Sequence, residues 1–411
     1  PKRSLHYTYT VIDSPPSLRN DAVQDSRKTD SDCWRTEIDD IMSVPLLTQR
    51  LLGHQVLDPR WTLRRFLPYQ LVIATLFVYV IYGTKIIISQ PEARIDVIAE
   101  GLYTVLTALI CPFKLACLMY TKETFRQLYI MLKTTLYKII QKDLKTKEAV
   151  LKENRKVVFA LLWIVALPFW SYQVVALKDY VTGNRRWMSD ATDTLLPMTS
   201  PYYELGWFFH SAFFAAACCI VMVIDLWFVV LMLYFCKASE VVVKILAVDR
   251  IQPDETPLVY AERLDRSLRK FYKNHIKLVK FTLKLSEMWR WMALIPLMNA
   301  AMSICNILLV LSHGIDLKFV PHIFPLFCEV FVYSYFGEQL KSKMIEIRTA
   351  LLEFDWTSLV KKNRQHYYII VLYVSKEFGL KTAVGHDLSL VTMSTVLKSS
   401  YQAFTVMNTV K

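Results

Sequence analysis

The sequence predicts an all-α membrane protein of seven hydrophobic helices, with its N-terminus in the cytoplasm and its C-terminus outside. Three observations carry that prediction. The chain is 54% hydrophobic with a positive mean hydropathy, a profile of bilayer-embedded chains more than of soluble domains. Its 22 Phe, 22 Tyr and 10 Trp stand against only 9 Gly, which suits long packed helices with aromatic interfacial belts better than a strand-rich fold with many tight turns. Its 49 Lys and Arg are segregated between alternate connecting segments, as a membrane topology requires.

The elements follow from the length of each apolar run, since a span needs about 20 residues. Residues 66–89, 97–120, 157–177 and 206–236 satisfy this directly. Two further runs, one ending near Ser312 and one starting near Lys318, continue into charged amphipathic stretches at 266–290 and 337–352 that must leave the bilayer. These are long helices with cytoplasmic stems. In 356–377 only Tyr367 to Val374 is continuously apolar, too short to cross, so this segment is expected as a cytoplasmic helix. Gly379 and Gly385 then turn the chain back to a last span, 386–411, whose Ser389, Thr392, Thr395, Lys398, Ser399, Gln402 and Thr409 keep it from facing lipid on all sides.

Orientation comes from the basic residues of the loops. The segments 1–65, 121–156, 237–284 and 338–385 carry 10, 10, 11 and 8 of them, against six on the alternate side. The N-terminus is therefore inside, and seven crossings leave the C-terminus outside, the reverse of a G-protein-coupled receptor. The resulting organisation is a cytoplasmic arm (1–65), helices one to six with stems at 121–156 and 237–284 (66–336), cytoplasmic anchor helices (337–385) and the last helix (386–411). The net charge of +13 is thus a topology signal and not a nucleic-acid surface. No apolar core opens the chain, so no cleavable secretion signal is read in 1–65, and Pro1 implies a missing initiator or leader.

Chemistry-bearing constellations are sparse. Seven cysteines lie in or beside apolar runs and Cys33 in the polar arm, a distribution of small buried thiols and not of external disulfides. No metal-ligand spacing, Gly-rich phosphate loop or Ser, His and carboxylate trio is present, so no cofactor and no enzyme activity are expected. Glu204 and His210 form the one suggestive pair, read as a solvated outer loop. Intramembrane charges call for a role. Lys114, Asp225 and Arg290 fall at a similar depth near the inner interface and are expected to pair. Glu329, near mid-span, is singled out as the candidate functional charge.

In the C-terminal 60 residues, Glu353-Phe-Asp-Trp-Thr-Ser-Leu is followed by Arg364-Gln-His-Tyr-Tyr. Beyond lie Asp387-Leu-Ser and Leu397-Lys-Ser-Ser-Tyr401 with Phe404. This stretch resembles the signature of the insect odorant receptors. Gln402 and Ala403 depart from it, standing where the motif usually has Ser and Tyr. The resemblance implies a tetramer whose last helices line one central pore, and a non-selective cation current evoked by a volatile ligand. It also implies a plasma-membrane location in sensory dendrites and partnership with a shared co-receptor. Because the chain lacks the co-receptor's long cytoplasmic insertion between helices four and five, it is similar to a ligand-tuning subunit.

Within that frame Thr395, Ser399, Gln402, Val406 and Thr409, spaced 4, 3, 4 and 3 on one helical face, are the expected pore stripe. Val406 and Val410 match family positions that close the pore by excluding water. Lys398 is expected to pack and snorkel. The ligand cavity is expected among the outer halves of helices two to six. Its candidates by depth are Tyr103, Thr107, Phe169, Tyr172, Gln173, Phe208, Ser211, Met298, Met302, Phe324 and Phe327. An uncharged cavity implies a small neutral volatile odorant. A gustatory-type channel is the nearest alternative, ahead of a G-protein-coupled receptor or a secondary transporter, for which no inverted repeat or broken helix pair is visible.

Overall fold

The structure, a computed structural model, describes residues 42–58, 61–89, 95–183, 197–247, 255–313 and 320–409. Most of the N-terminal arm expected in the cytoplasm, and Val410, lie outside the described residues. Helices dominate, and among the described residues the only extended pairing is an isolated bridge between Lys381 and Asp387. In chain order the helices are α1 (Ser43–Leu51), α2 (Leu63–Ile88), α3 (Ile95–Tyr120), α4 (Lys122–Met131), α5 (Tyr137–Ile140), α6 (Leu144–Val181), α7 (Tyr202–Lys244), α8 (Pro257–His313), α9 (Val320–Leu352), α10 (Lys361–Val374) and α11 (Leu390–Thr409).

Seven of these fall on the expected spans. By length and apolar composition four stand out, within α3, α6, α7 and α8. Helix α2 contributes the shorter apolar stretch Phe66–Tyr82, while α9 and α11 mix apolar with polar residues, as their sequences foretold. At about 1.5 Å per residue the 57-residue α8 is ~85 Å long, so it far outreaches a ~30 Å hydrocarbon layer. Between α4 and α5 a single π-type turn at Leu132–Leu136 keeps the stem helical while shifting its register. Asp143 starts α6 as an N-cap, accepting a hydrogen bond from the Thr146 N–H.

Helix α7 is the axis of the core. Its run of apolar residues is buried almost all round below Ile220, the pattern of a helix surrounded by others. Trp227 receives the edges of Phe125 (5.4 Å) and Tyr129 (5.6 Å). Phe228 packs on Trp289 (5.4 Å) and Tyr333 (4.9 Å). Helices α4, α8 and α9 are thereby joined through two residues of α7.

The signature residues Glu353 to Leu359 and Arg364 to Tyr368 prove to be structural. Trp356 stacks on Tyr367 at 5.8 Å, and the Tyr367 hydroxyl donates to the Leu351 carbonyl at 3.1 Å. Asp355 accepts from the Thr357 hydroxyl at 2.7 Å and from the Tyr260 hydroxyl at 3.3 Å. Hydrogen bonds from Ser358 and Thr357 hold its carboxyl below the usual range. The α9, α10 and α8 stems are thus tied together.

The return to α11 is a short hairpin. Leu388 N–H donates to Leu380 C=O at 2.9 Å and Thr382 N–H to His386 C=O at 2.8 Å, around Gly385 at φ +89°, a backbone state that favours glycine. Ser389 Oγ then accepts from the Thr392 N–H at 3.3 Å, capping α11.

Candidate functional site

In the half of the bundle expected to lie outside, α2, α3, α6, α7 and α9 enclose a cavity of about 70 Å³. Its wall is Val80, Tyr103, Thr107, Ala108, Tyr172, His210, Phe213, Phe214, Ala217 and His322. The two helices that contribute most present residues three or four positions apart, as one helical face must: Tyr103 and Thr107 on α3, His210, Phe213, Phe214 and Ala217 on α7. His322 sits at the centre of an aromatic box. Its ring lies 4.8 Å from Tyr172 edge-on, 5.8 Å from Phe214 in a stack and 5.5 Å from Tyr103 edge-on. The Tyr103 hydroxyl and His322 Nδ1 are hydrogen-bonded. Whichever of the two supplies the proton, the imidazole Nε2 is buried without a hydrogen-bond partner among the described residues. A buried polar atom left unmet costs ~1–3 kcal/mol, so this nitrogen is a ready contact for an oxygen-bearing ligand.

Of the residues expected to line a ligand cavity, Tyr103, Thr107 and Tyr172 do so. Phe169 stands one layer behind, stacked on Phe214 at 6.2 Å. Gln173 and Ser211 are taken up with each other, Nε2 donating to Oγ at 2.9 Å. Phe208, Met298, Met302, Phe324 and Phe327 are a correction. They are 65%, 55%, 54%, 61% and 43% exposed on the outer surface of the chain. Counting depth along a helix fixes height but not direction around the axis, and at 100° per residue a shift of one or two positions turns a side chain from cavity to lipid. His210 is a second correction, since it is buried on α7 in the cavity wall and not in a solvated loop.

The intramembrane charges converge differently from expectation. Lys114 Nζ, with no side-chain exposure, donates to both Asp225 oxygens at 2.7 and 2.8 Å and to Glu329 Oε1 at 2.6 Å. The Tyr333 hydroxyl donates to Asp225 Oδ1 at 2.6 Å. Arg290 takes no part; it is exposed, and its carbonyl accepts from Ala383 N–H at 3.1 Å. Lys114 lies seven residues below Thr107, Asp225 eight below Ala217 and Glu329 seven below His322. The ion cluster therefore sits two turns, ~10 Å, beneath the cavity on the same faces of the same three helices.

Helix α11 packs one face and leaves another open. Ser400 is buried, and Met393, Val396 and Phe404 pack against the core. About 145° around the helix, the stripe Thr395, Ser399, Gln402, Val406 and Thr409 is exposed along its whole length. The Thr395 and Thr409 hydroxyls bond back to Val391 and Val406 carbonyls at 3.0 and 2.8 Å, which meets their own hydrogen-bonding need. Lys398, expected to pack, is exposed.

The sequence profile described as 7tm Odorant receptor matches residues 94–401, three quarters of the chain and the whole of the site just described except Val80 and the end of α11. The chain belongs to the odorant receptor family. Among curated proteins it is 24% identical to odorant receptor 67a of Drosophila melanogaster over 226 residues, 51% of this chain and 55% of that receptor. The matched region thus spans about half the length of that relative. Among solved structures, the insect olfactory receptor OR5 of Machilis hrabei superposes with a TM-score of 0.72 at 13% identity, covering 91% of this chain and 99% of OR5. The same receptor in complex with eugenol gives 0.68 at 13% identity, with 91% and 100% covered. The odorant receptor fold is therefore retained where sequence identity is nearly gone. Membership places the chain among receptors and not among enzymes. The residues that sequence reasoning missed, Val80, Ala108, His210, Phe213, Phe214, Ala217 and His322, carry no motif. The helical periodicity that brings Phe214 and Ala217 onto the face of His210 was the one usable signal.

Proposed function

We propose that this odorant receptor is a ligand-tuning subunit of a non-selective cation channel in the plasma membrane of a sensory dendrite. It works in a tetramer beside a shared co-receptor, opened by a small neutral volatile held in the cavity around His322. The observation that carries the reading is the aromatic box itself. A cavity of about 70 Å³, below the few hundred Å³ usual for drug-sized ligands, suits a compact molecule that shifts its lining on entry. Its rings supply dispersion contacts, and His322 with Tyr103 supplies one hydrogen-bonding position.

The binding of eugenol by OR5 supports a compact oxygenated aromatic as the kind of ligand accommodated. A route from cavity to pore is available through the apolar cluster containing Tyr103, Ile307 and Val310, against which Phe404 of α11 packs. The connection between α7 and α8, residues 245–256, is short, which supports tuning subunit over co-receptor.

The test is current evoked by a panel of volatiles in cells expressing the chain with and without a co-receptor. Wild type is expected to conduct when co-expressed. His322→Leu should weaken oxygenated ligands by about tenfold or more, the equivalent of one hydrogen bond at ~1.4 kcal/mol, while hydrocarbon ligands keep their potency. Tyr103→Ala and Tyr172→Ala should reorder the panel with surface expression preserved. Wild-type protein at the surface that answers no volatile, or an unchanged ligand order in all three variants, contradicts the reading.

A further inference from the structure

At the opposite, basic end of the molecule, the α5–α6 connection, the last turns of α7 and the N-terminal part of α8 enclose a crevice of about 550 Å³. Five cationic side chains line it, Lys142, Lys244, Arg263, Arg266 and Lys270, against the single carboxylate of Asp143. Two of the five are engaged. Lys244 Nζ reaches Asp143 Oδ2 at 2.5 Å, and that bond holds the Asp143 carboxyl down to about 2. Glu255 grips Arg263 through two hydrogen bonds of 3.0 and 2.6 Å.

Lys142, Arg266 and Lys270 meet no carboxylate among the described residues. Arg266 and Lys270 stand four apart on the face of α8 that also presents Arg263 and Asn274 to the crevice. Like charges at that spacing repel, and Lys142 faces them from the other wall. Ile139, Val241 and Ile245 give the crevice an apolar lining.

We propose that this crevice is a binding site for a polyphosphorylated headgroup, a ligand with two or more phosphates whose charge the three unengaged cations divide. The volume fits a small ring bearing phosphates. Lys as a point charge and Arg as a fork are the two side chains that grip phosphate oxygens. Lys244 stands eight residues, ~12 Å, beyond the end of the apolar run of α7 at Cys236, within reach of a headgroup rising from the inner leaflet, where basic pockets hold such lipids. The same chemistry is offered by a free inositol polyphosphate. The site is separate from the odorant cavity and does not depend on it.

The test uses the purified full-length chain. Inositol trisphosphate is titrated in solution, and co-sedimentation is measured with vesicles containing phosphatidylinositol bisphosphate or, at matched surface charge, phosphatidylserine. Wild type is expected to bind the multiply phosphorylated probes. The triple variant Lys142→Ala, Arg266→Ala, Lys270→Ala is expected to lose about a hundredfold in affinity, and Lys142→Arg with Lys270→Arg to retain it. Binding to vesicles alone assigns the site to a lipid, and binding to inositol trisphosphate alone to a soluble ligand. Three results overturn the proposal. They are no binding by either probe, equal affinity in wild type and triple variant, and equal binding to phosphatidylserine and bisphosphate vesicles, which reduces the cluster to a topology signal. All substituted side chains are exposed, and a monodisperse elution profile shared with wild type checks that the variant is folded.

Discussion

Lys114 commits all three of its ammonium protons to Asp225 and Glu329, and this explains why three charges persist inside the bundle. Each carboxylate alone in so buried a place is prohibitive; joined to one lysine they lock α3, α7 and α9 at a fixed relative height. Removing the shared cation is accordingly worse than removing one acid. Lys114→Met leaves two half-buried carboxylates facing each other and should destabilise by about 3 kcal/mol, seen as loss of mature surface protein. Glu329→Gln keeps an oxygen for Lys114 Nζ and leaves a one-to-one pair with Asp225, so surface expression should stay near wild type. Equal surface levels for Lys114→Met and wild type would show that the cluster does not hold the helices. The sequence paired Lys114 with Asp225, as the structure does, but added Arg290 to the pair and set Glu329 apart at another depth, because three helices that converge in space have no common sequence register. His322 was illegible for a related reason. A single histidine near the start of an apolar helix has no partner nearby in sequence, and Tyr103, which defines it, lies 219 residues away.

At the scale of elements, α9 connects the cavity to α11. It carries His322 at its top, Glu329 and Tyr333 in the ion cluster, and Gly337 where the chain enters α11. A Cβ on Gly337 would run into the Leu388 carbonyl and come 2.7 Å from Leu388 Cβ. The clash is with backbone, so it cannot be relieved by a rotamer change. Gly337→Ala should therefore displace the α10–α11 hairpin, seen as reduced odorant-evoked current per surface receptor with the order of ligand potencies unchanged. A wild-type current at wild-type expression would remove this close approach from the account. Periodicity and Pro or Gly punctuation located most elements well, including α10 inside 356–377 and the turn at Gly385. Helix α8 begins at Pro257, nine residues before the expected amphipathic stretch, since a charged stem stabilised by packing and by pairs such as Arg269 with Asp265 at 2.7 Å gives little hydropathic contrast at its start.

For the whole molecule, the segregation of basic residues and the single open face of α11 are parts of one arrangement. Stems, anchor hairpin and basic crevice gather at one end, the aromatic cavity lies toward the other, and the stripe from Thr395 to Thr409 is left for whatever meets it on assembly. Its polar members would be costly against lipid and suit a water-filled axis shared by subunits, with Val406, 61% exposed in the isolated chain, as an apolar constriction. The stripe was legible in the sequence because 4, 3, 4, 3 spacing is a property of one helix. What it faces was not legible, because that belongs to the assembly. The measurement that tests this directly is the reversal potential of the odorant-evoked current in Val406→Lys, recorded with surface protein quantified in the same cells. A positive charge from each copy beside the path raises a barrier to cations of ~1 kcal/mol or more, so normal surface levels with reduced cation current or a shifted reversal potential are expected. Normal surface levels with current and reversal potential both unchanged, for Val406→Lys and for Gln402→Lys alike, would contradict a pore lined by α11.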